Sequence, residues 1–128
     1  MKPRARAYGV GVIPWSPLEG GLLGGVLRSE REGRRRLAGR AKDLVDRYRE
    51  RIEAYEELCD KLGEEPASVA LAWLLHQDGV TAPIIGPRTL AQLDGAQRAL
   101  GVRLDSGVLA QLDEIFPRYK PAPEHYAW

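Results

Sequence analysis

Apolar positions follow two different spacings along the chain, and the changes between them predict its elements. Short apolar runs with β-branched residues occupy 10–15 and 81–86, which is typical of strands buried on both faces of a parallel sheet. Between the two runs, apolar residues recur at helical spacing and predict crossover helices over 43–77, and a further helical pattern covers 89–116. The order of strand, crossover, strand and helices predicts a parallel β/α unit, and therefore an α/β fold class.

The crossover region 43–77 divides into two helices at a glycine and a proline. Gly63 suits the position after a helix end, and Pro66 suits the first turn of the next helix. Charged residues separate the apolar ones in the first helix, whereas the second helix is apolar on most sides and should be deeply packed. The apolar positions are Leu44, Val45, Tyr48, Ile52, Tyr55, Leu58 and Leu62 in the first helix, and 69–75 in the second.

Glycine and arginine dominate 16–42, the segment between the first strand and the crossover helices. The cluster Gly20–Gly25 contains four glycines, which allow backbone angles and close approaches that other residues resist. The range 28–40 is rich in arginine and predicts a mobile loop. Acidic residues alternate with the arginines over 28–51, which favours a solvated, partly neutralised surface over a nucleic-acid patch.

Each predicted strand ends in a turn that leads to a helix. Such a turn presents backbone N–H groups and a partial positive charge at one spot, so two of them side by side would form a site for a doubly phosphorylated ligand. The second turn carries Thr89 with Gln92 three residues later, the pattern of a capping box. Asp105 is a good N-cap for the last helix, and Pro117 ends it before a tail over 117–128 that has no periodicity.

Two parallel strands leave both edges of the predicted sheet unpaired. An isolated two-stranded sheet is not independently stable. We therefore expect either that another chain supplies the rest of the sheet or that the helices rearrange to cover it.

Length and composition limit the possible function classes. The 128 residues allow one domain with a core, but a full α/β barrel needs about 250 residues. A formal net charge of +1 gives no case for a nucleic-acid partner. The single cysteine, Cys59, cannot form an internal disulfide and is most simply a packed thiol, and the longest apolar run, 69–75, is too short to span a bilayer. We expect a cytoplasmic protein without a membrane partner.

The familiar motifs for nucleotide binding and catalysis are absent from the sequence. Neither a Walker A motif nor the G-x-G-x-x-G dinucleotide fingerprint fits, since Gly9 and Gly11 do not follow the first strand. Ser16 has no histidine near it in sequence and precedes a proline, so we assign it no nucleophilic role. His76 and His125 lack companions at metal-ligand spacing, so we expect no metal site.

Three long motifs resemble the last third of an aldo-keto reductase, in the right order and at the right spacing. They read VGVIPWSPLEGGLLGG, PASVALAWLLHQDGVTAPIIGPRTLAQL and RLDSGVLAQLDEI, and the ending PEHYAW resembles the terminus of bacterial members. The resemblance implies a (β/α)8 TIM barrel that reduces aldehydes or ketones with NADPH. This chain would form the C-terminal part of that barrel as a single partial domain, with the last two parallel strands, the crossover helices and the terminal helix.

The resemblance also implies cofactor-binding residues at both strand ends. Those after the first strand would lie along the pyrophosphate and nicotinamide, with the arginine-rich segment 28–40 folded nearby, and those after the second would hold the adenosine. Arg88 would bind the 2′-phosphate, and a fixed cation beside a helix N-terminus favours such a dianion. The implied cofactor-binding residues are Trp15, Ser16, Pro17, Leu18, Gly20, Gly86, Arg88 and Gln92.

Three of these positions have a simpler structural interpretation as well. Tryptophans such as Trp15 and Trp73 more often belong to a core than to a cofactor platform, although Trp15 at a strand end could do either. The capping box explains Gln92 fully, and capping and cofactor contact can coexist. From composition alone, Arg88 could be an exposed arginine that precedes a helix.

The chain departs from the family pattern at several places. The family's catalytic Asp, Tyr, Lys and His lie on earlier strands of the barrel, so no residue here takes those roles. A lysine often follows the glycine cluster where this chain has Val26, and an acidic residue and an asparagine are usual where it has Gly95 and Ala96. These departures predict weaker binding of the cofactor and no carbonyl reduction by the chain alone.

Three functional interpretations follow from the sequence. The first is the NADPH-binding fragment of a reductase, which would act on a small carbonyl substrate when the barrel is complete. The second is a split enzyme in which a complementary barrel half supplies the catalytic tyrosine and lysine. The third is a non-catalytic module whose exposed strand edges drive self-association.

Overall fold

A computed structural model describes residues 7–33 and 38–117 of the chain, and within them nearly all regular structure is helical. A short 3₁₀ turn at Glu19–Gly21 precedes the α-helices. The α-helices are α1 at Val26–Arg31, α2 at Gly39–Leu62, α3 at Pro66–Leu75, α4 at Leu90–Arg98 and α5 at Ser106–Ile115.

Helices α2 and α3 correspond to the helices predicted over 43–77, and they divide at the expected glycine and proline. However, α2 begins at Gly39, within the predicted loop 16–42. Gly63 adopts the left-handed conformation with a φ of 67°, and Pro66 is the first residue of α3. With ten residues, α3 is half the length that a membrane span needs, about 20 residues. Among the described residues, no helix is both long and apolar enough to cross a membrane.

The main hydrophobic cluster lies where α2, α3 and α5 pack together. Tyr55 of α2 stands edge-on to Phe116 with ring centroids 5.9 Å apart, and its hydroxyl donates a hydrogen bond to the backbone oxygen of Pro66. Asp105 caps α5 as the sequence predicts, because its Oδ1 accepts the backbone N–H of Val108 at 2.8 Å. The buried members are Tyr55, Leu58, Cys59, Val69, Ala70, Ala72, Val102, Leu104, Val108 and Leu112.

A second, smaller cluster joins the glycine-rich segment to the first half of α2. Leu22 precedes α1, Val26 and Leu27 belong to it, and all three pack against Val45 and Ile52 of α2. This cluster corrects the prediction that the arginine-rich range is a loop throughout. The segment Val26–Arg31 is helical because its first turn buries apolar side chains on α2, a tertiary contact that composition does not reveal. Residues 34–37 lie outside the described part of the chain.

The predicted strands 10–15 and 81–86 do not form regular strands in the described part of the chain. A single parallel bridge joins Val12 of the first segment to Val80, the residue immediately before the second. The relative direction of the two segments is thus parallel, but the prediction of a two-stranded ladder is wrong. The hydrogen bonds between them join Val12 N to Gly79 O at 2.8 Å, Thr81 N to Val12 O at 2.9 Å, and Ile84 N to Pro14 O at 2.8 Å.

Two prolines and two open edges explain why the ladder is so short. Pro14 and Pro83 lie in the paired segments and have no N–H group to donate, so the pattern cannot continue through them. Two paired segments without further neighbours are also marginally stable.

The apolar side chains of this pair and of α4 are exposed. Ile13 is 60 % exposed, and Ile84 and Ile85 are exposed as well, although the sequence pattern predicts burial on both faces. Helix α4 contains no buried residue within Leu90–Arg98, and it is attached to α3 by a hydrogen bond from Ser68 Oγ to Gly95 O at 2.9 Å. The described residues thus leave an apolar surface uncovered around the bridge.

The terminal segments carry predictions that fall outside the described residues. Residues 1–6 and all of the predicted tail 117–128 except Pro117 belong to this group. The motif PEHYAW, which contributes to the family resemblance, lies there too.

Cys59 is fully buried between α2 and α3, and burial raises the pKa of its thiol from the ordinary 9.0 to about 12. Because the folded-state pKa lies above the unfolded one, the stabilising contribution is complete below pH 9 and is lost as the pH rises towards 12. We expect the free energy of unfolding to fall by up to about 1.4 kcal/mol per pH unit in that window. Urea denaturation at several pH values would measure the slope.

The matched variant for this prediction is Cys59→Ala. Burial also raises the pKa of Tyr55, whose own contribution is lost at higher pH, so the comparison is cleanest just above pH 9. There the variant should show a flatter profile than the wild type. Equal slopes in both proteins would contradict the assignment to Cys59.

Candidate functional site

The two segments that pair at Val12 and Val80 end at the same place. The backbone oxygen of Pro14 accepts the N–H of Ile84, so the residues that follow each segment leave the pair from one end. The cofactor-binding residues suggested by the family resemblance lie in the two turns that begin there, apart from Trp15, which ends the first segment. The structure therefore brings together the two turns that the sequence analysis singles out.

The first turn, which we call the glycine loop, covers Ser16–Gly25. Ser16 and Glu19 have positive φ angles of 52° and 48°, a conformation that non-glycine residues rarely adopt. The loop closes on itself through backbone hydrogen bonds, including one from Glu19 N to Ser16 O at 3.0 Å and one from Gly21 N to Leu18 O at 2.9 Å. Two strained residues within four positions indicate a backbone that its surroundings hold in place.

Gly20 has an open backbone within the glycine loop. It has a φ of 64°, and a Cβ built on it meets none of the described atoms within 4 Å. A ligand can thus approach its main chain closely. Leu18 packs against the main hydrophobic cluster and Pro17 is half-buried, so these two residues attach the loop to the rest of the protein.

Trp15 is 80 % exposed, so the interpretation of this residue as part of the core is wrong. Trp73, by contrast, packs partly buried against the main cluster, as a core tryptophan does. An exposed indole at the end of a paired segment is free to contact a ligand or another part of the protein. Its exposure also makes it a sensitive fluorescence reporter of this end of the molecule.

A cleft of about 300 Å³ separates the glycine loop from the beginning of α2. Ser16 and Gly20 line it on the loop side, and Arg40 and Leu44 line it from α2. Glu19 contributes a carboxylate to the same cleft. The cleft thus combines open backbone, a hydroxyl, a cation and an anion, and Arg40 is the group that suits a phosphate ligand.

The second turn is organised by a capping interaction at the beginning of α4. Thr89 Oγ1 accepts the N–H of Gln92 at 3.2 Å, which is the predicted half of the capping box. Gln92 Oε1 accepts the backbone N–H of Arg88 at 2.7 Å, one residue further back than the usual partner. Gln92 therefore holds the backbone of Arg88 in place, and its capping role is confirmed.

Arg88 and Gly86 present the other face of this turn to solvent. Both residues are exposed, and a Cβ built on Gly86 meets none of the described atoms within 4 Å. The guanidinium of Arg88 is attached just before α4, where the helix N-terminus also favours an anion. Within the described part of the chain, no group of three His, Cys, Asp or Glu residues could hold a metal ion.

Two of the departures from the family pattern have structural counterparts. Val26 is buried against α2 in the second cluster and lines the cleft with an apolar side chain, where a lysine would supply a cation. The backbone oxygen of Gly95 is engaged by Ser68 of α3, so this position serves the attachment of α4.

The sequence matches the Aldo/keto reductase family over residues 1–116. The chain belongs to the aldo/keto reductase family. Members of this family have a TIM-barrel fold and generally use nicotinamide cofactors, and the resemblance predicted from the three motifs is thereby confirmed.

Several aldo/keto reductase relatives match almost the whole chain. The protein named "Uncharacterized oxidoreductase YrpG" from Bacillus subtilis is 48% identical over 127 residues, which cover 98% of this chain and 38% of that relative. "Aldo-keto reductase dtxS3" from Metarhizium robertsii is 32% identical over 123 residues, covering 91% of this chain and 32% of the relative. "L-glyceraldehyde 3-phosphate reductase" from Escherichia coli is 32% identical over 115 residues, which cover 83% of this chain and 33% of that relative. The chain thus spans between about a third and two fifths of the length of these relatives.

Glu19 is not among the site residues predicted for this aldo/keto reductase chain, although its sequence contains a signal for it. Glu19 is the one charged residue in the otherwise apolar and glycine-rich range 9–27. A charge in such a stretch indicates a side chain that is directed to solvent or to a ligand, and the structure places it at the cleft.

Proposed function

We propose that this chain is the cofactor-binding part of an NADPH-dependent aldo-keto reductase. The observation that carries the proposal is the parallel pairing at Val12 and Val80, which brings the glycine loop and the Arg88 turn to one end of the molecule. A dinucleotide has two ends that need separate contacts, and two adjacent turns with open backbone suit such a ligand.

The proposed contacts follow the chemistry of each turn. Arg88 binds the 2′-phosphate of NADPH, because a planar guanidinium recognises a phosphate dianion through two hydrogen bonds. The open backbone of the glycine loop accommodates the pyrophosphate, with Arg40 across the cleft as an additional cation. When bound, the nicotinamide supplies the hydride for carbonyl reduction. The residues proposed to hold the cofactor are Trp15, Ser16, Pro17, Leu18 and Gly20 in one turn, and Gly86, Arg88 and Gln92 in the other.

The catalytic groups of the reaction come, in this proposal, from the rest of the barrel. The exposed apolar side chains around the bridge support it, because Ile13, Ile84 and Ile85 would be buried if further strands continued the sheet. The remaining strands would belong to the same reductase or to a complementary half. The proposal includes a cytoplasmic location, since the one cysteine of the chain is an unpaired thiol.

The test measures NADPH binding and carbonyl reduction separately for this chain of 128 residues. We expect NADPH to quench the tryptophan fluorescence, to which the exposed Trp15 contributes, and we expect no oxidation of NADPH with simple aldehydes. Adding a polypeptide that contains the first part of an aldo-keto reductase barrel should restore turnover. Turnover by the pure chain would contradict the assignment of the catalytic groups to the rest of the barrel, and an absence of quenching would contradict cofactor binding.

A second candidate function is favoured by the same exposed apolar side chains. It is a non-catalytic module that associates with itself through the uncovered surface around the bridge. An oligomer in size-exclusion chromatography without any quenching by NADPH would favour this candidate. A monomer that binds NADPH would favour the reductase.

A further inference from the structure

We propose that Glu56 is a positioning residue that fixes the glycine loop by capping helix α1 from α2. The effect of Glu56 on NADPH binding rests on the proposed function, whereas its effect on the conformation of the glycine loop does not. Glu56 belongs to α2 and does not line the cleft.

Glu56 uses both of its carboxylate oxygens on the same helix end. Its Oε1 accepts the backbone N–H of Leu27 at 2.9 Å, and its Oε2 accepts that of Arg28 at 2.9 Å. The side chain belongs to a residue that is 4 % exposed, so this is a buried contact between elements distant in sequence.

The N-terminus of α1 needs such a partner because its own cap has no side chain. The residue before α1 is Gly25, which has a φ of 82°. The first N–H groups of a helix lack partners within it, and a polar side chain at the cap usually accepts one of them. Here Glu56 accepts two of them, and the carboxylate also interacts favourably with the positive end of α1.

The position of Glu56 on α2 supports its role as the cap of α1. It lies four residues after the buried Ile52, on the side of the helix that packs against α1. A carboxylate on a buried helix face is costly unless it is hydrogen-bonded, and the two amides of α1 meet that requirement.

This contact determines which amides remain available to a ligand. Since Glu56 occupies the N–H groups of Leu27 and Arg28, these cannot bind a phosphate. The available backbone lies upstream, around Gly20 in the glycine loop. The N-terminus of α1 is thus occupied by Glu56, and the backbone that can bind a ligand is that of the glycine loop.

Two further contacts hold the same end of the glycine loop. The guanidinium of Arg28 pairs with Asp60 and, at 3.2 Å, with Glu65. A Cβ built on Gly25 would lie 3.6 Å from the ring of Pro66, so the backbone there rests on α3. These exposed ion pairs contribute little on their own, whereas the buried Glu56 contact fixes the backbone directly.

The test compares Glu56→Gln with Glu57→Gln, its exposed neighbour on the same helix. Glutamine keeps the shape of the side chain but loses the charge and one acceptor oxygen. We expect the amide hydrogens of Leu27 and Arg28 to exchange between about twofold and thirtyfold faster in Glu56→Gln, as expected for the loss of a cap. The amide signal of Gly20 in the free chain should shift, and the dissociation constant for NADPH should rise. Glu57→Gln should match the wild type in all three measurements.

The measurements separate a positioning role from a merely structural one. Exchange at Val69, in the middle of the main cluster, should not change, because that cluster does not depend on Glu56. If Leu27 and Arg28 lose protection while the Gly20 signal and NADPH binding stay unchanged, the positioning role is overturned. If the Gly20 signal shifts but the wild type does not bind NADPH, the positioning role stands and the proposed function fails.

A second variant keeps the test valid if Glu56→Gln does not fold. Glu56→Asp retains the charge on a side chain one methylene shorter, which can reach one of the two amides. It should therefore give an intermediate rate of exchange and a smaller shift at Gly20. An aspartate variant with faster exchange at Leu27 and an unshifted Gly20 signal would overturn the proposal.

Discussion

Replacing Arg88 with alanine is expected to weaken NADPH binding about tenfold to a hundredfold while leaving NADH binding almost unchanged, since a hydrogen bond between charged groups is worth about 1.5–3 kcal/mol. NADH lacks the 2′-phosphate that the guanidinium would bind, so the variant loses nothing with that cofactor. Each cofactor would be titrated into the wild type and into the variant, with protein fluorescence as the signal. The titrations give the ratio of the variant to the wild-type dissociation constant, once for NADPH and once for NADH. The difference in affinity of the wild type for NADPH and NADH should also shrink in high salt, because Arg88 is exposed and its charge is screened.

The matched control for this prediction is Arg98→Ala. Arg98 is an exposed arginine in the last turn of the same helix α4, at the end that points away from the two turns. Its removal should change the two affinities equally and slightly. If Arg88→Ala instead weakened NADPH and NADH to the same extent, Arg88 would not be the 2′-phosphate contact.

The largest effect on stability is expected at Ile52, which is 1 % exposed on α2. Its side chain packs in the second cluster with Leu22, Val26 and Leu27, which belong to the glycine loop and α1. Ile52→Ala should lower the free energy of unfolding by about 2–5 kcal/mol, because it removes buried methylene groups and leaves a cavity. Urea denaturation followed by circular dichroism would measure this difference.

Leu100→Ala is the control for Ile52→Ala. Leu100 is 71 % exposed, and its truncation should change stability by less than about 0.5 kcal/mol. Because Ile52 also supports the loop, the destabilised variant should lose NADPH-dependent quenching at a lower urea concentration than the wild type. Similar losses of stability in both variants would show that the second cluster is loosely packed.

The helices could be predicted because their signals are local. Apolar residues such as Val45, Ile52 and Leu58 recur at helical spacing, and Gly63 and Pro66 mark a boundary by their own backbone preferences. These properties depend on neighbouring residues in the sequence, and they act wherever the segment lies. The capping of α4 by Thr89 is local in the same sense.

The strands were less predictable because pairing depends on partners elsewhere. The apolar run around Val12 has the composition of a buried strand, but a strand needs neighbours on both sides to extend its ladder. Pro14 also limits the pairing within the run itself. The composition therefore indicates where the segment would be buried in a larger sheet, and the described residues include one short stretch of pairing.

The contacts of the glycine loop were the hardest to predict. Glu56 is an unremarkable charged residue in a helix with many charges, and its role becomes apparent when α1 packs against it. A local signal does exist, since Glu56 lies four positions after Ile52 on the apolar face. The arginines of the range 28–40 gave a misleading signal, because Arg28 is part of a helix and pairs with Asp60.

The bridge between Val12 and Val80 also has a consequence for the order of folding. Its two residues are separated by α1, α2 and α3, so joining them costs more chain entropy than forming the contacts within α2 and α3. The helices can therefore assemble first, and the two turns come together in a late step. A ligand that contacts both turns would stabilise this last closure, and its binding would then be thermodynamically linked to folding at this end of the molecule.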